Sequence, residues 1–336
     1  MQNKNVLLIG GAGYIGLHVA ILLFSKGYKI SIVDNFSNSK KKYIKIINKS
    51  LGIKLNVHNF NAINRQKLKS VIINNKINFI MHFAGFKSAE ESMLNPDKYY
   101  LNNIKSTINI LRVMEETKCK NILFSSSACI YGKPNKNPIN ENEELKFENV
   151  YGHTKLVSEE LIKSAINPKK KYNYAILRYF NPIGAHSSGL IGDDQKKNFN
   201  NLIPNIIKSL KGNCKIKIFG KNFNSHDGTC VRDYVHVEDI AYGHYLSLKK
   251  IRSDNESFTI NLGTGIGYSV LDVIDTFNKV NETKIKYEFK SARKGDVDIY
   301  YASPKKANKY LKWKAKKNLA EMCKSSFNFL SRKKDL

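Results

Sequence analysis

The sequence predicts an α/β protein: a doubly wound parallel sheet with a smaller second lobe. Three observations carry this. Apolar runs suited to buried strands alternate with helix-spaced segments through the first half of the chain. A glycine-rich turn joins the first strand to the first helix. After about Arg178 the rhythm changes: Gly and Asn become frequent, helices shorten, and loops such as 184–200 lengthen.

Taken in order, residues 6–9 are a continuous apolar run, as a strand buried on both faces requires. Residues 14–26 have helical spacing and stop at Gly27. A strand at 30–33, a helix at 42–49, a strand at 53–57 and a helix at 67–73 follow. Then come a strand at 79–83, a long helix at 99–117, a strand at 121–125, a helix at 151–165 and a strand at 174–178. Such βαβ units make a parallel sheet covered on both faces. We expect a first domain over 1–180 and a second lobe over 181–336, with some segments returning to the first domain. Residues 231–237 are the candidate for such a return.

The chain has 336 residues, 42% of them hydrophobic and 11% aromatic, enough for a sizeable core and too many for whole-chain disorder. The net charge of +28 raises nucleic acid or an anionic membrane as a partner. Only seven of the 56 basic residues are arginines, however, and arginine is the side chain that base recognition favours. Lys, Asn and Ile are enriched together along the whole chain, as AT-rich coding produces. The charge therefore reads as solvated surface, including the lysine runs at 40–42 and 169–171, with no specific nucleic acid and no membrane as partner. Five cysteines with no C-x-x-C pair argue against a disulfide framework or zinc site and for a reducing compartment. The longest apolar stretch, 19–24, falls far short of the ~20 residues of a membrane span. The N-terminus reads as a strand and not as a signal peptide. Three glycosylation sequons are then chance matches, and the terminal Lys-Lys-Asp-Leu336 is not a retention signal. A cytoplasmic protein is the expectation.

The first strand ends in Gly10-Gly-Ala-Gly13-Tyr-Ile-Gly16, and a helix follows at once. Glycines there let backbone approach a pyrophosphate, which the free N–H groups of the helix start then hold. Asp34 closes the second strand, where a carboxylate accepts the hydroxyls of an adenosine ribose and repels a 2′-phosphate. This points to a Rossmann-type domain that binds NAD in preference to NADP.

Tyr151-Gly-His-Thr-Lys155 opens a helix and places Tyr and Lys one turn apart on one face. A free phenol, pKa ~10, is a poor base at neutral pH. A neighbouring ammonium and a positively charged nicotinamide both favour the phenolate, and a shift of ~3 pKa units corresponds to about 4 kcal/mol. Ser125-Ser-Ser127 ends the preceding strand, so Ser127 could reach the same hydroxyl as Tyr151. A Ser/Tyr/Lys set beside a dinucleotide describes reversible hydride transfer at a carbinol.

The chain resembles the UDP-glucose 4-epimerases (UDP-galactose 4-epimerases) of the extended short-chain dehydrogenase/reductase superfamily. The resemblance covers nearly all of it. It is carried by GGAGYIG at 10–16, VDNFSNSK at 33–40, HFAGFKSAEES at 82–92, FSSSACIYG at 124–132, YGHTK at 151–155 and LRYFNPIGAH at 177–186. In the second lobe it is carried by NNLIP at 200–204, DGTCVRDYVHVEDIA at 227–241, NLGTGIGYSVLDV at 261–273 and ARKGDVDIYYA at 292–302. The resemblance implies a Rossmann domain with a smaller UDP-sugar lobe, and tightly held NAD regenerated in each cycle. It implies reversible epimerisation of UDP-glucose and UDP-galactose at C4 through a 4-keto sugar. Tyr151 would be the base, Lys155 would tune it and hold the nicotinamide ribose, and Ser127 would bond the 4-hydroxyl. Gly10, Gly13, Tyr14, Ile15 and Gly16 would hold the pyrophosphate side. Asp34, Asn35, Phe36, Ser37, Asn38 and Ser39 would line the adenosine side, with Asn61 and Ala62 near the adenine. Phe83, Ala84, Gly85, Lys87, Asn102 and Phe180 would surround the rest of the dinucleotide. Asn181, Asn201, Leu202, Ile218, Phe219, Arg232, Arg293 and Asp296 would take the uridine diphosphate, with Lys87 and Tyr300 also toward the substrate. Guanidinium forks suit a diphosphate.

Two departures from the family pattern stand out. Asn61 replaces the usual Asp at the adenine, and Cys129 stands where Thr is common. The resemblance further implies a homodimer built on the helices at 99–117 and 151–165. Family members with a small residue at the place of Tyr300 accept N-acetylated sugars, whereas those with Tyr do not. Two rival readings remain. A nucleotide-sugar 4,6-dehydratase would carry an Asp-Glu pair just after Ser127, where this chain has Ala128-Cys129. A non-enzymatic NAD-binding or nucleic-acid-binding protein would usually lack an intact Ser/Tyr/Lys set.

Overall fold

The computed structural model describes residues 4–165, 172–194, 196, 201–212, 214–293 and 295–332. The lysine run at 169–171, Asn200, Lys294 and the terminal 333–336 lie outside the described residues. Along the chain the first elements are β1 (Asn5–Ile9), α1 (Tyr14–Ser25), β2 (Lys29–Asp34), α2 (Lys42–Ser50), β3 (Asn56–Asn59), α3 (Arg65–Asn74) and β4 (Phe79–His82). Next come α4 (Ala89–Leu94), α5 (Pro96–Tyr99), a π-helical turn at Tyr100–Ile104, α6 (Lys105–Thr117), β5 (Asn121–Ser127) and a 3₁₀ turn at Ala128–Tyr131. They are followed by α7 (Val150–Ala165), β6 (Asn173–Tyr179), β7 (Asn181–Ile183), α8 (Leu202–Gly212), β8 (Ile216–Phe219), β9 (Val231–His236), α9 (Val237–Asp254) and β10 (Phe258–Leu262). The last are β11 (Gly267–Ser269), α10 (Val270–Asn281), β12 (Tyr287–Lys290), β13 (Ile299–Tyr300), α11 (Lys305–Leu311) and α12 (Leu319–Arg332).

The chain divides into two units that interleave in sequence. The first takes its described residues from Met1–Gly132, Leu145–Arg178 and Ala241–Ile260; the second from Lys133–Glu144, Tyr179–Ile240 and Asn261–Leu336. The segment at 231–237 does not return to the first sheet, because β9 lies at the centre of the second unit's sheet.

The first unit is built on a seven-stranded sheet of order β10-β6-β5-β4-β1-β2-β3, with β1–β2, β1–β4, β2–β3 and β4–β5 all parallel. Val6, Leu7, Leu8 and Ile9 are wholly buried, as a central parallel strand between two helical layers must be. One face packs Leu7, Ile9 and Ile80 with Val71 and Ile72 of α3 and Ile110 and Val113 of α6. Registers Ile9↔His82 and His82↔Phe124 bring the carboxyl ends of β1 and β4 level with Phe124, and β5 runs on to Ser127 at the same sheet edge. The loops after them therefore share one crevice, where open α/β sheets bind ligands.

Two elements differ from expectation. The strand expected at 53–57 is β3 at Asn56–Asn59. Ile53 and Leu55 are buried, but the ladder to β2 begins at Ser31↔Asn56, so these apolar residues anchor the approach to an edge strand. The helix expected over 99–117 is interrupted by the π turn. Its wider turn brings Asn103 inward to 4% exposure, where it has bonding work described below.

In the second unit β9 pairs antiparallel with β11 and parallel with β13 and β7, while β8 and β12 form a separate parallel pair. Its core joins Ile203 and Ile206 of α8, Ile216 and Ile218 of β8, Tyr234 of β9, Phe277 of α10 and Met322 of α12. Among the described residues no helix is long and apolar enough to cross a membrane.

Candidate active site

The glycine turn is shaped by close approach. A Cβ on Gly10, whose φ is +77°, would sit 2.5 Å from the Ala84 nitrogen, and one on Gly16 would sit 2.7 Å from the Gly11 Cα. At Gly13 a Cβ would meet only the Gly10 carbonyl, at 3.3 Å, so this is the face left open to a ligand. Gly13 caps α1 without a side-chain hydrogen bond, and the first turn, Tyr14 to Gly16, holds no acid. Such a helix start presents bare N–H groups and its positive dipole end to an anion.

Asp34 also has a structural role that spacing did not reveal. Its carboxylate accepts from Ala12 N at 3.0 Å, Phe36 N at 2.8 Å and Ser39 Oγ at 2.9 Å. It thus pins the glycine turn to the segment 34–39, in which Phe36 takes the left-handed φ of 55° and is buried. Asn35 and Ser37 are exposed, and Asn35 Oδ1 accepts from Ser37 N. Asn61 is exposed, and its Oδ1 already accepts from Ile63 N at 3.0 Å, which leaves one lone pair for an adenine amino group. Buried Ala62 is held through its carbonyl by Asn109 Nδ2 at 2.5 Å.

Phe83 N and Ala84 N both donate to Ile9 O, at 2.8 and 2.9 Å, which lays the loop 83–88 beside the glycine turn. The side chain of Asn103 then clamps this loop. Its Oδ1 accepts from Phe86 N at 2.8 Å, and its Nδ2 donates to Phe86 O and to Thr154 Oγ1, each at 3.0 Å. Thr154 lies on α7 between Tyr151 and Lys155, so one buried amide ties the loop bearing Gly85 and Lys87 to the helix bearing the Tyr/Lys pair. Asn102 donates to Asn103 Oδ1 at 3.1 Å. Neither Asn103 nor Asn109 carried a sequence signal; their importance comes from the turn and the burial around them. The donor and acceptor set of the first unit (helix start, strand-end carboxylate, loop 83–87) fits a dinucleotide.

Ser127 is the last residue of β5, and its Oγ accepts from Cys129 N at 3.3 Å. It is also hydrogen-bonded to the Tyr151 phenol. Tyr151 sits in the first turn of α7, where its N–H donates to Ser92 Oγ at 3.1 Å. Lys155 is buried, donates to Ser125 O at 2.7 Å, and lies 4.7 Å from the Phe124 ring centroid. The structure therefore gathers the three expected residues at the crevice edge of the sheet. Burial adds an influence that spacing does not show. Burial raises the Tyr151 phenol above its usual range; Cys129 and Tyr99 add to this, and the Ser127 bond opposes it. Burial likewise pulls the Lys155 ammonium down to about 8. In the chain by itself desolvation is the largest influence on both groups.

The second unit gathers another set. The Arg293 guanidinium lies 3.8 Å from the Phe219 ring centroid. Arg232 Nη1 donates to Val231 O and Val297 O, and its Nη2 stands 3.8 Å from Asp296 Oδ1. Tyr300 is in register with Arg232, and its ring meets that of Phe180 at 5.6 Å. Asn181 opens β7, Asn201 precedes α8, Leu202 begins it, and Ile218 is buried in β8. A guanidinium over an aromatic ring, with a second guanidinium in the same unit, suits a diphosphate joined to a planar base. Phe180, assigned by resemblance to the dinucleotide, lies in this unit.

Comparison with known proteins agrees with this chemistry. Residues 6–263 match the NAD dependent epimerase/dehydratase family. The UDP-glucose 4-epimerase of Bacillus subtilis is 40% identical over 327 residues, 97% of this chain and 96% of that protein. The crystal structure of UDP-glucose 4-epimerase from Bifidobacterium longum in complex with NAD⁺ and UDP is 38% identical with a TM-score of 0.94, covering 98% of this chain and 99% of that one. The UDP-Glc/GlcNAc 4-epimerase from Campylobacter jejuni is 31% identical with a TM-score of 0.84, covering 98% and 99%. Glycine turn, strand-end acid and Ser/Tyr/Lys set thus stand in a chain that belongs to the NAD dependent epimerase/dehydratase family.

Proposed function

We propose that the protein interconverts UDP-glucose and UDP-galactose by inverting the sugar C4, with NAD retained through the cycle. The observation that carries this reading is the gathering of Ser127, Tyr151 and Lys155 at the sheet edge where the glycine turn also opens. NAD supplies the hydride acceptor and donor. Tyr151 takes the proton of the C4 hydroxyl and returns it to the same oxygen when the 4-keto sugar is reduced on its opposite face. Ser127 orients that hydroxyl through its own bond to the phenol. Lys155 supplies the nearby positive charge, and the nicotinamide ring of the family's cofactor is a second cation that works against burial at Tyr151. Arg232 and Arg293 anchor the diphosphate while the keto sugar turns, and Phe219 flanks the base. Ala128 and Cys129 offer no carboxylate, so water elimination has no acid–base pair. We further propose a cytoplasmic homodimer. Leu101, 63% exposed within the 99–117 segment, is apolar surface in the region where the partner copy is expected.

The test is incubation of the purified protein with UDP-galactose and no added NAD. Appearance of UDP-glucose is expected. A dehydrated 4-keto-6-deoxy product, or no conversion by protein shown to carry NAD, would overturn the reading.

A further inference from the structure

One buried charge network lies behind the Ser/Tyr/Lys set, among residues assigned to neither the dinucleotide nor the UDP-sugar. Glu159 follows Lys155 by one helical turn and Tyr151 by two, so the three share one face of α7. Its side chain is wholly buried. Oε1 accepts from Ser126 Oγ at 2.5 Å and from Arg178 Nε at 3.0 Å. Oε2 accepts from Arg178 Nη2 at 2.7 Å and from Lys163 Nζ at 3.2 Å. Arg178, in β6, also donates through Nη1 to Tyr131 OH at 2.8 Å. Each partner belongs to a segment that carries the chemistry. Ser126 immediately precedes Ser127, Tyr131 closes the 3₁₀ turn holding Cys129, and Ser125 O receives the Lys155 ammonium. One carboxylate thus fixes the catalytic helix against the strand end and the turn after it.

We infer that Glu159 is a positioning residue for proton transfer: its carboxylate holds the Ser127 end of β5 against α7 and provides the fixed negative charge that keeps Lys155 an ammonium. This rests on the function proposed above. The surroundings of Lys155 support it. Burial pulls the ammonium down, while Cys129 and Glu159 act the other way. The Cys129 thiol is itself pushed up to about 11 by burial, so it is neutral near pH 7. Tyr151 is protonated in the chain by itself, and His82 of β4 is held neutral by burial. Glu159 is then the remaining anion that acts on Lys155. Burial works to raise the Glu159 carboxyl, but Arg178, Ser126 and Lys163 hold it below the usual carboxylate range. Tyr174 of β6 also feels this charge.

The experiment is steady-state kinetics of Glu159→Gln, Glu159→Asp and Ser126→Ala from pH 6 to 10, on protein carrying its cofactor. Lys155→Arg assigns the alkaline limb of kcat, since a guanidinium stays charged throughout. For Glu159→Gln we expect kcat to fall ten- to a hundredfold near pH 7.5, KM to stay within about threefold, and the alkaline limb to move to lower pH by at least about half a unit. Glu159→Asp should restore the limb with partial kcat. Ser126→Ala keeps the charge and should lower kcat severalfold with the limb in place; it decides the positioning role where Glu159→Gln does not fold, and Glu159→Asp then decides the charge role. An unmoved limb in Glu159→Gln, or wild-type kcat in Ser126→Ala, overturns the inference. Tyr151→Phe separates the two levels. If that variant is inactive while the limb stays fixed in Glu159→Gln, the inference alone fails; if it is active, the proposed reaction fails.

Discussion

Tyr151→Phe is the most direct perturbation of the proposed chemistry, because it removes one oxygen and leaves the scaffold. The Tyr151 N–H bond to Ser92 and the Thr154 Oγ1 bond to Tyr151 O belong to the backbone and survive. Ser127 Oγ keeps the Cys129 N–H. One hydrogen bond is lost, worth about 1 kcal/mol, so the variant should fold and retain NAD. The rate is another matter. Positioned acid–base catalysis contributes about 10²- to 10⁴-fold, which at 1.36 kcal/mol per decade is about 3–5 kcal/mol of barrier. Conversion of UDP-galactose followed chromatographically, beside a thermal melt and the NAD content of acid-extracted protein, reads both quantities. A well-folded, NAD-loaded variant within about threefold of the unmodified rate would refute the role given to Tyr151.

Three further outcomes follow from named groups. His82, wholly buried, stays neutral down to about 3 because burial, then the Lys155 ammonium, disfavours its charged form. An unfolded histidine titrates near ~6.5, so the stabilisation is complete above that pH and is lost as pH falls. From this group denaturant melts should show about 2 kcal/mol less stability at pH 5 than at pH 7, and His82→Leu should remove that part of the slope. Asp34 disfavours a 2′-phosphate, so extraction should yield NAD(H) and little NADP(H); mainly NADP would refute its selective role. Light scattering at moderate salt should report about twice 38.3 kDa, and a strict monomer at micromolar concentration would contradict the homodimer.

Legibility in the sequence followed the range of the interactions involved. The turn from β1 to α1 is local: apolar run, glycines and terminal acid lie within a few dozen residues, and their spacing dictates their neighbours. Tyr151 and Lys155 are likewise set by helix geometry. The π turn was hidden because one inserted residue barely alters an apolar stripe, and its cause is Asn103 reaching Phe86 and Thr154. Edge strand β3 was misplaced because Ile53 and Leu55 are buried without joining the ladder. The interleaving of the units, with 133–144 in the second and 241–260 in the first, depends on contacts across more than a hundred residues. Electrostatics were least legible. Counting the cations expected near Tyr151 leaves out the opposing effect of burial, because only the packing shows how much water the phenol loses.

Substrate range turns on a residue that sequence and structure describe in complementary ways. Tyr300 ends the short strand β13, in register with Arg232, and its ring packs on that of buried Phe180 at 5.6 Å. By family resemblance this place lies beside the sugar C2 substituent, so the proposed wall is a phenol backed by a second ring. An acetamido group adds several heavy atoms at C2, and a packed aromatic wall gives way only by shifting both rings. Plain UDP-galactose should therefore be used efficiently and UDP-N-acetylgalactosamine poorly. Tyr300→Cys removes most of the ring volume while leaving the β13 ladder, which is backbone. It should open the acetylated activity by an order of magnitude or more, at some expense to the plain sugar as that sugar loses its contact surface. The similarity to an enzyme described for both UDP-Glc and GlcNAc sharpens the comparison, since a common fold then leaves local volume to decide. Initial rates on both sugars for both proteins are the measurement. Equal rates on the two sugars by the unmodified enzyme would show that Tyr300 is core packing and that the discriminating wall stands elsewhere.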